Sequence, residues 1–221
     1  MQDFISFFSE SDPTNVSTSV KMLLLLTVLS LAPSILILMT SFARIMIVLS
    51  FTRTALATNT MPPNQVLIGL ALFLTFFVMA PTFQQVNDNA LQPLFNEEIG
   101  IDEAYDRASA PFKEFMAKQT RQEDLELFLN YNQAERPETV QDIPLTMLVP
   151  AFALSEIKTA FQIGFMIFIP FLVIDMVVAS VLMSMGMMML PPVMISLPFK
   201  ILLFVLVDGW YLVVKSLLQS F

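Results

Sequence analysis

Residues 180–192 read SVLMSMGMMMLPP. Five of the seven residues from Met183 to Met189 are methionine, and the run ends on two prolines. Gly186 and the Pro191–Pro192 pair predict that a helix stops here. Glycine accepts the left-handed conformation of a helix C-terminus, and proline cannot continue a helix across itself. The apolar stretches on either side, about 151–190 and 199–221, then form two arms of a hairpin centred near Pro192. This turn sets the expected fold class: all-α, built from apolar helical hairpins. The methionines themselves admit two readings. Met is unbranched and polarizable and fills irregular gaps, so the run can belong to a core or lipid-facing helix. Against that, Met187, Met188 and Met189 fall on three different faces of a helix, so one packing face cannot use them all. Repeated around an axis, Met185, Met187, Met188 and Met189 would instead form a deformable apolar plug, a gate that holds back water and ions.

Composition narrows the setting. The chain has 221 residues, 56% hydrophobic and 14% charged, with a mean hydropathy of +0.71. A soluble domain carries about 25% charged residues, so this is a membrane or membrane-associated protein. Cys and His are absent, which removes disulfides, Cys-based metal centres, thiol nucleophiles and histidine acid–base chemistry together. No catalytic residue, metal site or cofactor is expected. Charge is uneven: residues 84–143 hold 13 acidic and 5 basic side chains, a local net of −8 that equals the net of the whole chain. An acidic block of this kind argues against nucleic acid as a partner. The opening MQDFISFFSESDP carries Asp3, Glu10 and Asp12 without a positive n-region, so it does not read as a signal peptide, and insertion is expected to rest on the apolar spans.

Four apolar regions stand out along the chain. The first, 22–51, is expected to break at Pro33 and Arg44; the second, 66–80, to stop at Pro81. The third, from about 151 to 190, is interrupted by Glu156, Lys158, Pro170 and Asp175, and the fourth, 199–221, contains Asp208 and Lys215. A simple spanning helix needs about 20 apolar residues. Two of these regions are too long, one is short, and charges inside apolar spans normally face protein or water. The pattern predicts tilted hairpins in a larger assembly, in four parts: an N-terminal segment 1–21, an apolar hairpin 22–83, an acidic helical region 84–143, and a second apolar hairpin 144–221 with the Met-rich loop. Arg44 and Arg53, near the acid-free link 53–65, mark that end as cytoplasmic and put the acidic block outside. Within the block, Ile101, Tyr105, Ala108, Phe112, Phe115 and Met116 follow helical spacing, with a break expected at Pro111. Thr120 and Glu123 predict a capping box before a short helix with Leu125, Phe128 and Leu129. The region reads as an amphipathic lid or connector.

The charges inside the apolar stretches are the remaining candidates. With the hairpin centred at Pro192, Asp175 lies 17 residues before the turn and Asp208 16 after it, so their carboxylates come out level and could share a proton. Their contexts, VIDMV and VDGWY, lack the Gly-rich surroundings of intramembrane aspartyl proteases. Polar contact between helices is the preferred role, and a proton or ion relay in a small carrier is the alternative function. Lys200 comes level with Ser184 in the same register, missing Asp175 by nine residues or about 13 Å. Its partner would then sit in a neighbouring subunit. Glu156 and Lys158 are two apart and share no face, so one of them also needs an outside partner or water. Lys215, near the end of its helix, can snorkel.

At this point the residues carry a family likeness. PAFALSEIKTAFQIGF (150–165) and PFLVIDMVVASVLMSMGMMMLPP (170–192) resemble the two signature stretches of the FliP family of export-gate proteins. ARIMIVLSFTRTALATNTMPPNQVLIGLALFLTFFVMAP (43–81) is similar to the family's N-terminal core. The likeness runs from about residue 21 to 221. It implies a structural and gating subunit of the flagellar type III export channel rather than an enzyme: five copies around an axis with FliQ and FliR and other export-apparatus membrane proteins, passing unfolded flagellar substrates. It further implies helical hairpins stacked into a conical oligomer partly raised out of the bilayer, in the bacterial cell membrane at the flagellar basal body. The family's methionine gasket maps onto Met187, Met188 and Met189, and its contacts between subunits onto Glu156, Asp175 and Lys200. Many relatives begin with a cleavable signal peptide, a feature the opening residues here do not show.

Overall fold

The computed structural model describes residues 37–58, 60–132, 137–187 and 189–221, with Val20, Met22, Leu23, Leu26, Thr27, Ser30 and Ser34 before them. Val20 apart, the expected segment 1–21 lies outside the described residues, as do Pro33 and Met188. The chain forms two compact units, 1–38 and 39–221. In the first, the described positions from Val20 to Leu38 are helical.

The second unit is all-α among its described residues. Its helices are α1 (Phe42–Ala55), α2 (Asn64–Val86), α3 (Ile101–Gln119), α4 (Gln122–Tyr131), α5 (Leu145–Ser184), α6 (Pro192–Leu206) and α7 (Gly209–Leu218). After Val86 the chain continues through a π-helical turn, Asn87–Leu91, into a short helix Gln92–Phe95. Among the described residues two segments are long and apolar enough to cross a membrane: Asn64–Phe95, whose most apolar 18 residues have a mean hydropathy of 2.3, and α5, whose most apolar 18 reach 2.6. The α6–α7 pair meets the same standard only if taken together across its 63° bend.

Where these helices run differs from the sequence expectation, mostly because proline breaks helices less readily in apolar surroundings. α2 continues through Pro81, α3 through Pro111, and α5 through Pro150 and Pro170. A proline removes one backbone bond, at about 3 kcal/mol in an exposed helix. For α2 and α5, leaving the helix in an apolar layer would strip partners from several more groups, so the helix goes on; in the acidic α3 the Pro111 ring is itself buried, and that packing offsets the lost bond. The third apolar region is therefore one 40-residue helix, about 60 Å long, uninterrupted at Glu156, Lys158 or Asp175. The first region does not break at Arg44, which lies inside α1; the turn is at Met39–Ser41. The fourth breaks at Asp208, which adopts the left-handed conformation at φ 51°.

The expected capping box at Thr120 does not form either. The Thr120 hydroxyl donates back to Met116 O at 2.7 Å, and α4 starts at Gln122. A capping box does close the 3-10 turn Val140–Asp142 that leads into α5: the backbone N–H and hydroxyl of Thr139 both donate to Asp142 Oδ2. These bonds, the hydroxyl's first, hold the Asp142 carboxyl below its ordinary range.

One apolar cluster joins α1, α2, α5, α6 and α7. Ile45, Val48 and Leu49 form an i, i+3, i+4 stripe on α1 and pack with Leu67, Ala160 and Phe204. Phe51 fixes how closely α1 approaches α5. Its ring lies over Gly164, edge-on to Phe161 and Phe168 at 5.1 and 6.2 Å between centroids. A Cβ on Gly164 would meet that ring at 2.7 Å. Gly164→Ala should destabilise the protein by about 1–3 kcal/mol through overpacking. Thermal unfolding in detergent checks this, and Phe51→Leu in the same chain should recover part of the loss.

Candidate functional site

Three features lie along α5: a buried ion pair near its N-terminal end, a second charged node near its C-terminal end, and the methionine turn beyond. The first is built on Arg44. Its guanidinium donates through Nε to Glu156 Oε2 at 2.8 Å and through Nη2 to Glu156 Oε1. The remaining donors reach Gln119 Oε1 at 2.9 Å and Ser220 O at 2.6 Å. The Phe221 ring stacks on the guanidinium at 4.1 Å, and Gln119 donates to Phe221 O. Arg44 and Glu156 are 1% and 0% exposed. One planar fork thus ties together α1, α3, α5 and the residues after α7, which a lysine's point charge could not do.

The second node pairs Lys200 of α6 with Asp175 of α5 at 2.7 Å. Ser196, one helical turn before Lys200, donates to the other Asp175 oxygen at 2.5 Å. Lys200 also donates to Ala55 O, at the last residue of α1. The expectation that this pair misses by nine residues is corrected here. The hairpin is centred midway between the end of α5 at Ser184 and the start of α6 at Pro192, not on Pro192 itself. Asp175 lies nine residues before the first point and Lys200 eight after the second, so they come level.

The same shift separates the aspartates. Asp208 sits past α6 at the bend, exposed, and no contact joins it to Asp175 among the described residues. A level carboxylate pair for proton sharing is not formed. Glu156, Asp175 and Lys200, which the resemblance maps onto contacts between subunits, each have a partner within the chain. Lys158 also finds a partner, the exposed Glu123 at 3.9 Å. Arg44, buried in the first node, no longer counts as a loop charge, which leaves Arg53 to carry the orientation argument. Arg53 donates to Asn64 Oδ1 at 2.5 Å and to Pro62 O in the loop between α1 and α2.

The methionine turn is as its glycine and prolines predict. Gly186, at φ +74°, is the left-handed residue after α5. The N–H of Met187 bonds Leu182 O and that of Gly186 bonds Met183 O, the two bonds of a Schellman motif. Met185 is 65% and Met189 98% exposed, and Met187 is half-buried. Met188 lies outside the described residues.

Sequence reasoning missed the polar residues that complete these contacts. Ser155 receives the Arg121 N–H and donates to the buried Asp124, holding α4 on α5. Arg121 reaches Gln162 at 2.6 Å. The available signal was that Ser155 and Ser196 are small polar residues inside strongly apolar stretches, where a hydroxyl needs a partner. Among the described residues no group of three acidic side chains could hold a metal.

Comparison with known proteins supplies the family. The FliP family model matches residues 25–217. The chain is 75% identical over its whole length, and over the whole of the relative, to a flagellar biosynthetic protein FliP of Bacillus subtilis. It is 57% identical to one of Caulobacter vibrioides, covering 89% of this chain and 74% of that one. With one of Aquifex aeolicus it shares 52% identity, covering 94% of this chain and 87% of the relative. The likeness extends over both charged nodes and the methionine turn between α5 and α6, and the chain belongs to the FliP family.

Proposed function

We propose that the chain is the structural and gating subunit of the flagellar type III protein export channel, and that its methionine turn is the gate. The observation that carries this reading is the turn itself. A Schellman motif and two prolines hold it at the end of a 40-residue helix, with Met185 and Met189 facing outward. A single chain gains nothing by presenting flexible apolar side chains there. In a ring of five copies with FliQ and FliR, the turns converge on the axis and close it with a soft, water-excluding plug. Unfolded flagellar subunits displace the plug as they pass, while energy comes from other components.

The length of α5 supports a conical assembly partly raised from the bilayer. At about 60 Å it is twice the hydrocarbon thickness of about 30 Å. The acidic α3 and α4 pack on its N-terminal half, where Ser155, Lys158 and Gln162 meet polar partners. That half belongs with the water-exposed block, on the outer side, and the Arg53 loop belongs on the cytoplasmic side of this multi-pass protein in the basal body.

Replacing Met187, Met188 and Met189 together by alanine tests the gate. Each change removes three heavy atoms from the plug without touching either charged node, so assembly should persist. Membrane conductance to small ions should rise several-fold while flagellar subunits are still secreted. Leucine at the same positions keeps the bulk but is branched, so sealing should survive and secretion should slow. A triple-alanine membrane as tight as wild type would show that the methionines serve packing alone.

A further inference from the structure

Thioethers crowd the turn between α5 and α6, and the chain has no cysteine, so methionine is its only oxidisable sulfur. The fold sorts the methionines by access. Met79 of α2 and Met116 of α3 are sealed, and Met147 of α5 nearly so. Met185 and Met189, which the Schellman turn and the prolines hold beyond the end of α5, are 65% and 98% exposed. We propose that Met185 and Met189 are sites of oxidation to methionine sulfoxide by peroxides, and that the sulfoxides unseal the gate. The inference rests on reading the turn as the gate.

Access and chemistry both fit a small aqueous oxidant. Hydrogen peroxide is scarcely larger than water, so it reaches the rim of a plug that a protein-sized reagent could not enter. The sulfur lone pair attacks one peroxide oxygen, and the S–O bond forms as the O–O bond breaks. The departing oxygen takes the proton of the oxygen left on sulfur and leaves as water. Sulfur loses two electrons and the peroxide gains them. The product is the reversible rung of the oxidation ladder, returned to the thioether by thiol-dependent reductases.

The consequence follows from what surrounds the new oxygen. A sulfoxide oxygen demands a donor, and the side chains of the turn offer none. From Met185 to Ile195 no side chain carries an N–H or O–H. The Ser184 hydroxyl already donates to Val181 O, and the N–H groups of Gly186 and Met187 to Met183 O and Leu182 O. Neighbouring copies bring the same sequence to the axis. Water is then the partner that satisfies the oxygen, and a plug that works by excluding water admits it. Leucine would fill the plug without this sensitivity, so methionine ties the seal to the redox state around it.

The test uses the full chain purified with its export partners and reconstituted into liposomes loaded with an ion-sensitive dye. A brief pulse of hydrogen peroxide is followed by the leak rate and by peptide mass spectrometry for added oxygen. Met189 and Met185 should oxidise first, the half-buried Met187 more slowly, and Met79 and Met116 last. Leak should rise several-fold alongside the first two. Met185→Leu with Met189→Leu should lose most of that rise, each protein being compared with its own untreated rate. Met166→Leu with Met176→Leu removes exposed thioethers along α5 instead, and should leave the rise intact. Oxidation at Met185 and Met189 no faster than at Met79 and Met116 overturns the proposal. So does full oxidation at both with an unchanged leak, or an equal rise in the Met185→Leu, Met189→Leu protein. The untreated alanine variant of Met187, Met188 and Met189 separates the two ideas. If it is as tight as wild type, the gate reading fails; if it leaks while fully oxidised wild type does not, the redox inference alone fails.

Discussion

Arg44→Ala is expected to destabilise the protein by about 3–5 kcal/mol, because it leaves the fully buried Glu156 carboxylate without its cation. It also frees Gln119 and the carbonyl of Ser220, which share the same guanidinium. Arg44→Lys should recover only part of the loss, since one ammonium cannot reproduce the fork. The decisive comparison is Arg44→Met with Glu156→Leu in one chain. Removing both charges leaves no unpaired ion, so this double variant should be more stable than either single change and close to wild type. Thermal unfolding of detergent-solubilised protein reads all of them. Single variants within about 1 kcal/mol of wild type would mean that Glu156 reaches water and the node is not a stabilising one.

Asp175→Ala should come close behind, at about 3–5 kcal/mol, because it strands a lysine that is 2% exposed. Lys200→Ala should cost clearly less. The Asp175 side chain is 24% exposed and keeps the Ser196 hydroxyl as a donor. This asymmetry separates a pair within the hairpin from a contact between subunits. If Lys200 served a neighbouring copy, both alanine variants would lower the yield of oligomer on native gels while leaving the isolated chain equally stable. Equal unfolding midpoints for the two variants, with oligomer lost in both, would assign the pair to the interface instead.

What could be read from the sequence follows from which physics is local. The end of α5 was legible because Gly186, Pro191 and Pro192 each act on their own backbone. The all-α membrane class was legible because hydropathy sums over neighbours. Helix continuity at Pro81, Pro111 and Pro170 was not, because the cost of a proline is set by what the backbone would face on leaving the helix, and that is a tertiary property. The second node was missed through one choice of hairpin centre: placing it at Pro192 instead of midway between Ser184 and Pro192 moved Lys200 by two turns. The first node joins residues 112 apart, and no periodicity reaches that far. A count of charges would have helped. The apolar stretches hold Arg44 with Glu156, and Asp175 with Lys200, one of each sign in each pair.

That separation of 112 residues also sets a schedule for synthesis. At about 5–20 residues per second, Arg44 leaves the ribosome roughly 6–20 seconds before Glu156 exists. Through that interval the α1 segment carries an unanswered cation, which at mid-bilayer costs about 2.5–3.5 kcal/mol. Until then water is the partner that satisfies the guanidinium. Only when α5 and Ser220 have both been made does the guanidinium find every acceptor it uses. The docking of α1 is therefore completed only after residue 220 has been translated, long after α1 itself.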